Sequence, residues 1–286
     1  MDDRELIEKI SRIIGLKKVL DDCALIPVKD TNIVISTDML HEKTDFPKEM
    51  TNWQIGWMCA AASLSDVASS GARPLGIMLA VGIDDHNRFE DIIRGAKDCC
   101  MTYGTELSGG DTDRHDELTI VSTGIGMAKH PVLRSGGKSG DLICITGTPG
   151  CAQAGLEGHE EHKKALFEPR PMVDEGQALA RKGATSMMDV SDGLVLSLYD
   201  MHDANPGCGY SIQSDQVPKP SGVSPDEALR MALYGGGDFG LLFTISTLDF
   251  PVEGVDATKI GMVTGDQGIF IDGVIVEKKG YLHEWE

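Results

Sequence analysis

At 286 residues, 41% hydrophobic and 25% charged, the chain is long enough for one large domain or two ordinary ones, with a sizeable core. Its formal charge of −19, from 26 basic against 45 acidic residues, argues against nucleic acid or an anionic membrane as partner. The same charge implies that a phosphate-bearing substrate arrives with metal ions, although adaptation to a salty cytoplasm would give the same balance.

No apolar run approaches the roughly 20 residues that span a bilayer, and Met1-Asp2-Asp3-Arg4-Glu5 lacks a signal-peptide pattern. The 7 cysteines form no C-x-x-C pair, which points to reduced, structural thiols and a cytoplasmic protein. Along the chain, residues 4–20 show helical apolar spacing ending near Gly15, and Asp21-Asp22 then enter an apolar run. Ile33 to Asp38 reads as a β-branched strand ending on Ser36-Thr37-Asp38, and residues 40–47 as a loop. Residues 51–70 predict a buried helix of small residues that carries Asp66, a carboxylate costly to bury unless paired or metal-bound. A strand over 76–83, an amphipathic helix over 88–103 and a strand end at Ser108-Gly109-Gly110-Asp111 follow, then a strand over 118–126.

The pattern changes near 128–140, so the expected division is 1–130 and 131–286. The second part opens on the glycine-bounded strand 140–147 and continues through a polar, mobile connection over 157–170. A helix from Val173 to Lys182 comes next, then Met187-Met188-Asp189-Val190-Ser191-Asp192-Gly193-Leu194, a strand-to-helix junction. Residues 206–225 read as loop-rich, 228–233 as helical, and short strands close the chain around 241–245, 260–263 and 268–276. The whole is α/β (α+β).

Two motifs mislead. Gly136-Gly137-Lys138-Ser139 resembles the end of a P-loop, but the position of its first glycine is Val132 and no helix should begin at Gly140-Asp141. His159-Glu160-Glu161-His162 spaces its histidines three apart, not four, and reads as a solvated helix face. No Ser-His-Asp or Cys-His nucleophile signature stands in a convincing context.

What remains is a set of aspartates at element ends: Asp22, Asp38, Asp66, Asp111, Asp189 and Asp192, with Asp238 after three glycines. Singly, each also fits a cap or a turn. Asp189 and Asp192, three apart across a junction, would repel one another unless a cation lay between them, and oxygen-rich sites suit Mg²⁺. Together, without a P-loop, the set suggests Mg²⁺ ions holding a nucleoside triphosphate, with glycine amides free for its phosphates.

Taken in order, Asp21-Asp22-Cys23-Ala24, Ser36-Thr37-Asp38, Leu64-Ser65-Asp66, Gly109-Gly110-Asp111-Thr112, Arg134-Ser135-Gly136, Asp189 to Leu194, Gly236-Gly237-Asp238-Phe239 and Lys279-Gly280-Tyr281 resemble the thiamine-monophosphate kinase family over nearly the full length. That family belongs to the aminoimidazole-ribonucleotide synthetase-like superfamily. The resemblance implies a two-domain fold whose N-terminal domain dimerises through its sheet, giving a homodimer. It implies ATP-dependent phosphorylation of thiamine monophosphate to thiamine diphosphate, with no covalent nucleophile. It assigns Mg²⁺ to Asp22, Ser36, Thr37, Asp38, Asp66, Asp111, Asp189 and Asp192. ATP falls to Gly110, Asp111, Arg134, Ser191 and Tyr103, and the acceptor to Asp45, Gly237 and Tyr281.

Three positions depart from the family pattern. Leu20 stands for a glycine, Asp45-Phe46 for a histidine-phenylalanine pair, and Gly236-Gly237-Asp238-Phe239-Gly240 for Gly-Glu-Asp-Tyr-Glu. Their loss of two glutamates leaves room for an alternative, another ATP-dependent enzyme of the superfamily acting on a different small phosphate or acyl substrate. A nucleotide-holding protein without turnover fits less well, because the aspartates are kept. The cysteine tail of the hydrogenase-maturation relatives has no counterpart in Tyr281 to Glu286.

Overall fold

The computed structural model describes residues 3–15 and 21–281; Leu20 and residues 282–286, which bear on the expectations above, lie outside them. The first part contains α1 (Asp3–Ile14), β1 (Ala24–Val28), β2 (Thr31–His41), α2 (Asn52–Ser69), β3 (Arg73–Ile83), α3 (Phe89–Thr102), β4 (Leu107–Arg114) and β5 (Thr119–Ala128). Its sheet runs β1-β2-β5-β3-β4, antiparallel except where β4 pairs with β3. Alternation decides its faces. Along β2, Val34 and Ser36 are buried while Thr37 and Met39 are exposed. α2 and α3 cover the buried face. A capping box starts α2, in which the Thr51 side chain accepts from the Gln54 N–H and the Gln54 side chain accepts from the Thr51 N–H.

The second part adds β6 (Leu142–Thr146), α4 (Cys151–Leu156), α5 (Lys163–Phe167), α6 (Val173–Lys182), β7 (Ser186–Asp189), α7 (Leu194–Ala204), β8 (Gly209–Ile212), α8 (Pro225–Tyr234), β9 (Leu241–Ile245), β10 (Ala257–Thr264), β11 (Gly268–Ile271) and β12 (Val274–Ile275). Its strand order is β12-β11-β8-β10-β6-β9-β7. Every residue of β6 and β9 is buried, which explains their near-continuous apolar sequence. One cluster packs Ile143, Ile145 and Leu242 under Leu194, Val195 and Leu198 of α7; on the opposite side Cys144, Leu241 and Phe243 meet Leu179 of α6. Among the described residues no helix is long and apolar enough to cross a membrane.

Several local expectations need correction. Residues 157–170 hold a 3₁₀ turn at Glu160–His162 and then α5, and Leu166 and Phe167 are buried in the core of the first part. This segment fastens the two parts together. Trp57 Nε1 donates to the Pro169 carbonyl at 3.0 Å, Gln54 Nε2 to Glu168 at 3.1 Å, and Lys163 pairs with Glu49 at 2.8 Å. His162 is buried rather than solvated, and its Nε2 meets the Ser221 carbonyl at 2.8 Å. β2 runs three residues past Asp38, β4 carries Asp111 in its interior rather than at its end, and the loop-rich stretch after 206 contains β8.

Candidate active site

Three carboxylates from three separate elements converge where the two parts meet. Asp22 lies in the turn before β1, Asp66 on the inward face of α2, and Asp189 at the last position of β7. One oxygen from each lies within 4.8 Å of the other two. Serines hold them in place. Ser69 Oγ donates to Asp22 at 2.7 Å, Ser65 Oγ to Asp189 at 2.6 Å, and Ser36 Oγ makes a short hydrogen bond to Asp66. Asp38 stands beside them on β2, bonded by Ser63, whose hydroxyl also meets Ser122 at 2.6 Å. Three of these serines ride on α2 at positions 63, 65 and 69. Buried hydroxyls in an otherwise apolar helix need acceptors, and that run was the sequence signal for residues not singled out as part of the site.

Among the described residues, one cation answers this charge directly. The Arg134 guanidinium bonds Asp22 Oδ1, with Nε at 2.9 Å, and its Nη1 lies 3.6 Å from Asp200, while its backbone N–H donates to Asp21 at 2.7 Å. Burial alone would lower the Arg134 pKa, but Asp22 and Asp200 outweigh it and hold the group charged. Asp200, absent from the expected set, is 7% exposed on α7 and also faces Lys278 at 3.9 Å.

The remaining carboxylates resist ionisation. Burial pushes Asp189 up to about 8, assisted by the charge of Asp22, and pushes Asp38 up to about 6. Asp66 is raised well above the ordinary value by burial and then by Asp38, Asp189 and Asp22. A cluster of hard oxygen ligands carrying more negative charge than its arginine neutralises fits a divalent cation such as Mg²⁺. The sign of the pH effect follows. A carboxyl whose folded pKa exceeds its unfolded value binds protons better when folded, so stability falls as pH rises through that interval. Without metal, the protein should therefore lose thermal stability steadily between about pH 4 and pH 8, the span from the ordinary 3.8 to the raised value of Asp189. Melting curves in chelator across that range check this; a midpoint that rises with pH contradicts it.

Other expected residues fall elsewhere. Asp192 and Ser191 form the turn between β7 and α7. Neither Asp189 nor Asp192 caps α7, whose N-cap is Gly193 with no side-chain bond. The Ser191 carbonyl accepts from Gly237 N–H at 2.7 Å and the Asp192 carbonyl from Tyr281 N–H at 3.0 Å, so Ser191, Asp192, Gly237 and Tyr281 gather at one place. Thr37 faces away from α2, its hydroxyl 3.1 Å from that of Thr123.

Asp111 is not one of the three clustered carboxylates. The register sets it beside Ala80, then Val121, then Met39, in a row on the sheet face opposite α2, whereas Ser36 and Asp38 bond to α2. Gly110 precedes it on the same edge strand. Tyr103 ends α3 with its ring against Trp57, centroids 6.2 Å apart. Asp45 closes the turn after β2, accepting from His41 N–H at 2.6 Å and Thr44 Oγ1 at 2.7 Å. Asp238 stands apart from the other aspartates: it caps α4, accepting from the N–H groups of Gly150 at 2.6 Å and Ala152 at 3.0 Å, and burial raises it to about 6. A Cβ on Gly240 would lie 2.4 Å from the Thr146 carbonyl, so the local backbone leaves no room for the family's glutamate.

Comparison with known proteins matches this arrangement. The family model of AIR synthase related protein, N-terminal domain, matches residues 20–128. Thiamine-monophosphate kinase of Methanospirillum hungatei is 49% identical over 287 residues, covering 100% of both chains. The Archaeoglobus fulgidus protein of the same name is 37% identical over 99% of this chain and 98% of its own. A solved structure of AaThiL complexed with AMPPCP and TMP superposes with a TM-score of 0.92 at 26% identity, over 99% of this chain and 97% of that one. With full-length relatives at this identity and the same two-sheet fold, the chain belongs to the thiamine-monophosphate kinase family.

Proposed function

We propose that the protein transfers the γ-phosphoryl group of ATP to thiamine monophosphate, giving thiamine diphosphate, by direct in-line displacement. The observation that carries this reading is the convergence of Asp22, Asp66 and Asp189 within 4.8 Å in a chain that matches a member of the family over the whole of both. No covalent nucleophile is needed, because the acceptor is a phosphate already ionised at neutral pH. What the reaction demands is alignment and neutralisation of two anions. Asp22, Asp38, Asp66 and Asp189, with Ser36, would hold Mg²⁺ at the cluster; Asp192 on the adjoining turn, and Thr37 and Asp111 on the opposite sheet face, would hold it only at separate positions. When bound, Mg²⁺ supplies the positive charge that lets the two phosphates approach.

The chain's own groups do the positioning. Arg134, anchored by Asp200, presents a guanidinium suited to a phosphate oxygen. Gly110, Asp111, Ser191 and Tyr103 complete the nucleotide assignment, and Asp45, Gly237 and Tyr281 the acceptor assignment, with an aromatic ring at Tyr281 able to stack on a heterocycle. Residues 1–130 form the part that supplies most of the nucleotide and metal assignments, and 131–286 the second part, which adds Arg134, Asp189, Ser191 and Asp192. The test is formation of thiamine diphosphate from thiamine monophosphate, ATP and Mg²⁺. Product is expected. Its absence, with Mg²⁺-dependent ATP binding intact, would mean a different acceptor.

A homodimer completes the reading. The sheet face opposite α2 carries Ile26 at 50% exposure, Met39 at 60% and Met78 at 42%. Such an apolar sheet face is a partner surface in a soluble protein, and a second copy would cover it. Light scattering after size exclusion should give twice the chain mass, and Met39→Glu with Met78→Glu should give the monomer. A monomeric parent protein would remove the assignment.

A further inference from the structure

Residues 276–281, after β12, form no helix or strand, yet they are pinned along their length. The Tyr199 hydroxyl donates to the Val276 carbonyl. Lys278 Nζ lies 3.3 Å from Asp203 and 3.9 Å from Asp200, and Lys279 sits over the Tyr234 ring, 5.1 Å from its centroid. Gly280 then lies against the turn that carries Ser191 and Asp192. A Cβ at this position would be 2.6 Å from the Asp192 carbonyl oxygen and 2.8 Å from Leu196 Cβ. The next residue, Tyr281, donates its N–H to that same Asp192 oxygen. On the other side of the turn, Gly236 is as tightly placed: a Cβ there would lie 2.8 Å from the Ser191 oxygen and 3.4 Å from Tyr281 Cβ.

We propose that Gly280 is a positioning residue for Tyr281: by letting the terminal strap lie flat on the Asp192 carbonyl and Leu196, it fixes the tyrosine beside Gly236 and Gly237 and so sets affinity for the ring-bearing acceptor. This rests on the reading of Tyr281 as an acceptor contact. Leu196 is fully buried on α7, whose Leu194, Val195 and Leu198 sit in the core of the second part, so α7 has little room to yield to an added methyl group. The strap is the part with room to move. Gly280→Ala therefore lifts Tyr281 while the carboxylate cluster stays in place.

Steady-state kinetics of Gly280→Ala, Tyr281→Ala and the double variant test this. Gly280→Ala should raise KM for thiamine monophosphate about tenfold, since small misplacements of a positioning group are expensive. The value of kcat, KM for ATP and the melting temperature should stay close to the parent's, because only acceptor binding is touched. In the Tyr281→Ala background, adding Gly280→Ala should change KM for thiamine monophosphate no further. Lys278→Met, which loosens the strap at a distance, should raise the same KM by a smaller factor and keeps the test open if the alanine variant misfolds. Effects of Gly280→Ala and Tyr281→Ala that multiply independently, or a rise in KM for ATP instead, overturn the proposal while leaving Tyr281 as a contact. If Tyr281→Ala leaves the acceptor KM unchanged, the contact assignment and the proposal fall together.

Discussion

Asp66→Asn should abolish thiamine diphosphate formation, lowering kcat/KM by at least ~100-fold, while raising the melting temperature of the metal-free protein. The two effects have one origin. Burial is what most disfavours ionisation of Asp66, and the charges of Asp38, Asp189 and Asp22 add to it. Asparagine has nearly the same shape and keeps an oxygen for the Ser36 hydroxyl, so packing is preserved while one like charge is removed. A cation site loses its central ligand in the same step. Mg²⁺ should raise the melting temperature of the parent, and that increase should vanish in the variant. Thermal melts with and without Mg²⁺, paired with the product assay, read all three outcomes. An asparagine variant that turns over normally would sink the metal assignment, and one that is less stable without metal would sink the electrostatic account.

Arg134→Met should cost the metal-free protein about 3–5 kcal/mol, the usual penalty for stranding a buried charge. Its guanidinium, 18% exposed, is shared between Asp22 and Asp200, whose side chains are 4% and 6% exposed. Methionine fills much of the same volume, so the loss comes from two carboxylates left without their cation rather than from a cavity. Adding Asp200→Asn to Arg134→Met should recover part of the loss, since one stranded charge is then gone. Arg134→Lys should fall between, because an ammonium is a point charge and cannot fork between both partners. Urea denaturation of the three variants measures this. Equal midpoints for parent and Arg134→Met would show that the arginine does not neutralise the cluster.

Much of the molecule was legible because its signals are local. β6 and β9 announce themselves as apolar runs, and the Asp189–Asp192 junction follows from residue order alone. α5 was missed because a five-residue helix is too short to show a period, and its charged flanks hid Leu166 and Phe167. The face of Asp111 depended on the register of β4 against β3, which no single sequence reveals. Asp200 was missed for a related reason: it looks like one polar residue on a buried helix until Arg134, far away in sequence, is seen beside it. The Asp238 cap was legible in type but not in place, since an aspartate after glycines suits a ligand as well as a helix start.

The three-way origin of the carboxylate cluster also bears on how the protein matures. The turn before the first strand, a helix that packs on the first sheet, and an edge strand of the second sheet each contribute one oxygen. Neither part of the chain owns the site. A chain whose first sheet has folded but whose second has not lacks Asp189 at this place, so the three-carboxylate cluster does not exist until the two parts dock. The cluster is thus a property of the docked whole and of neither part alone.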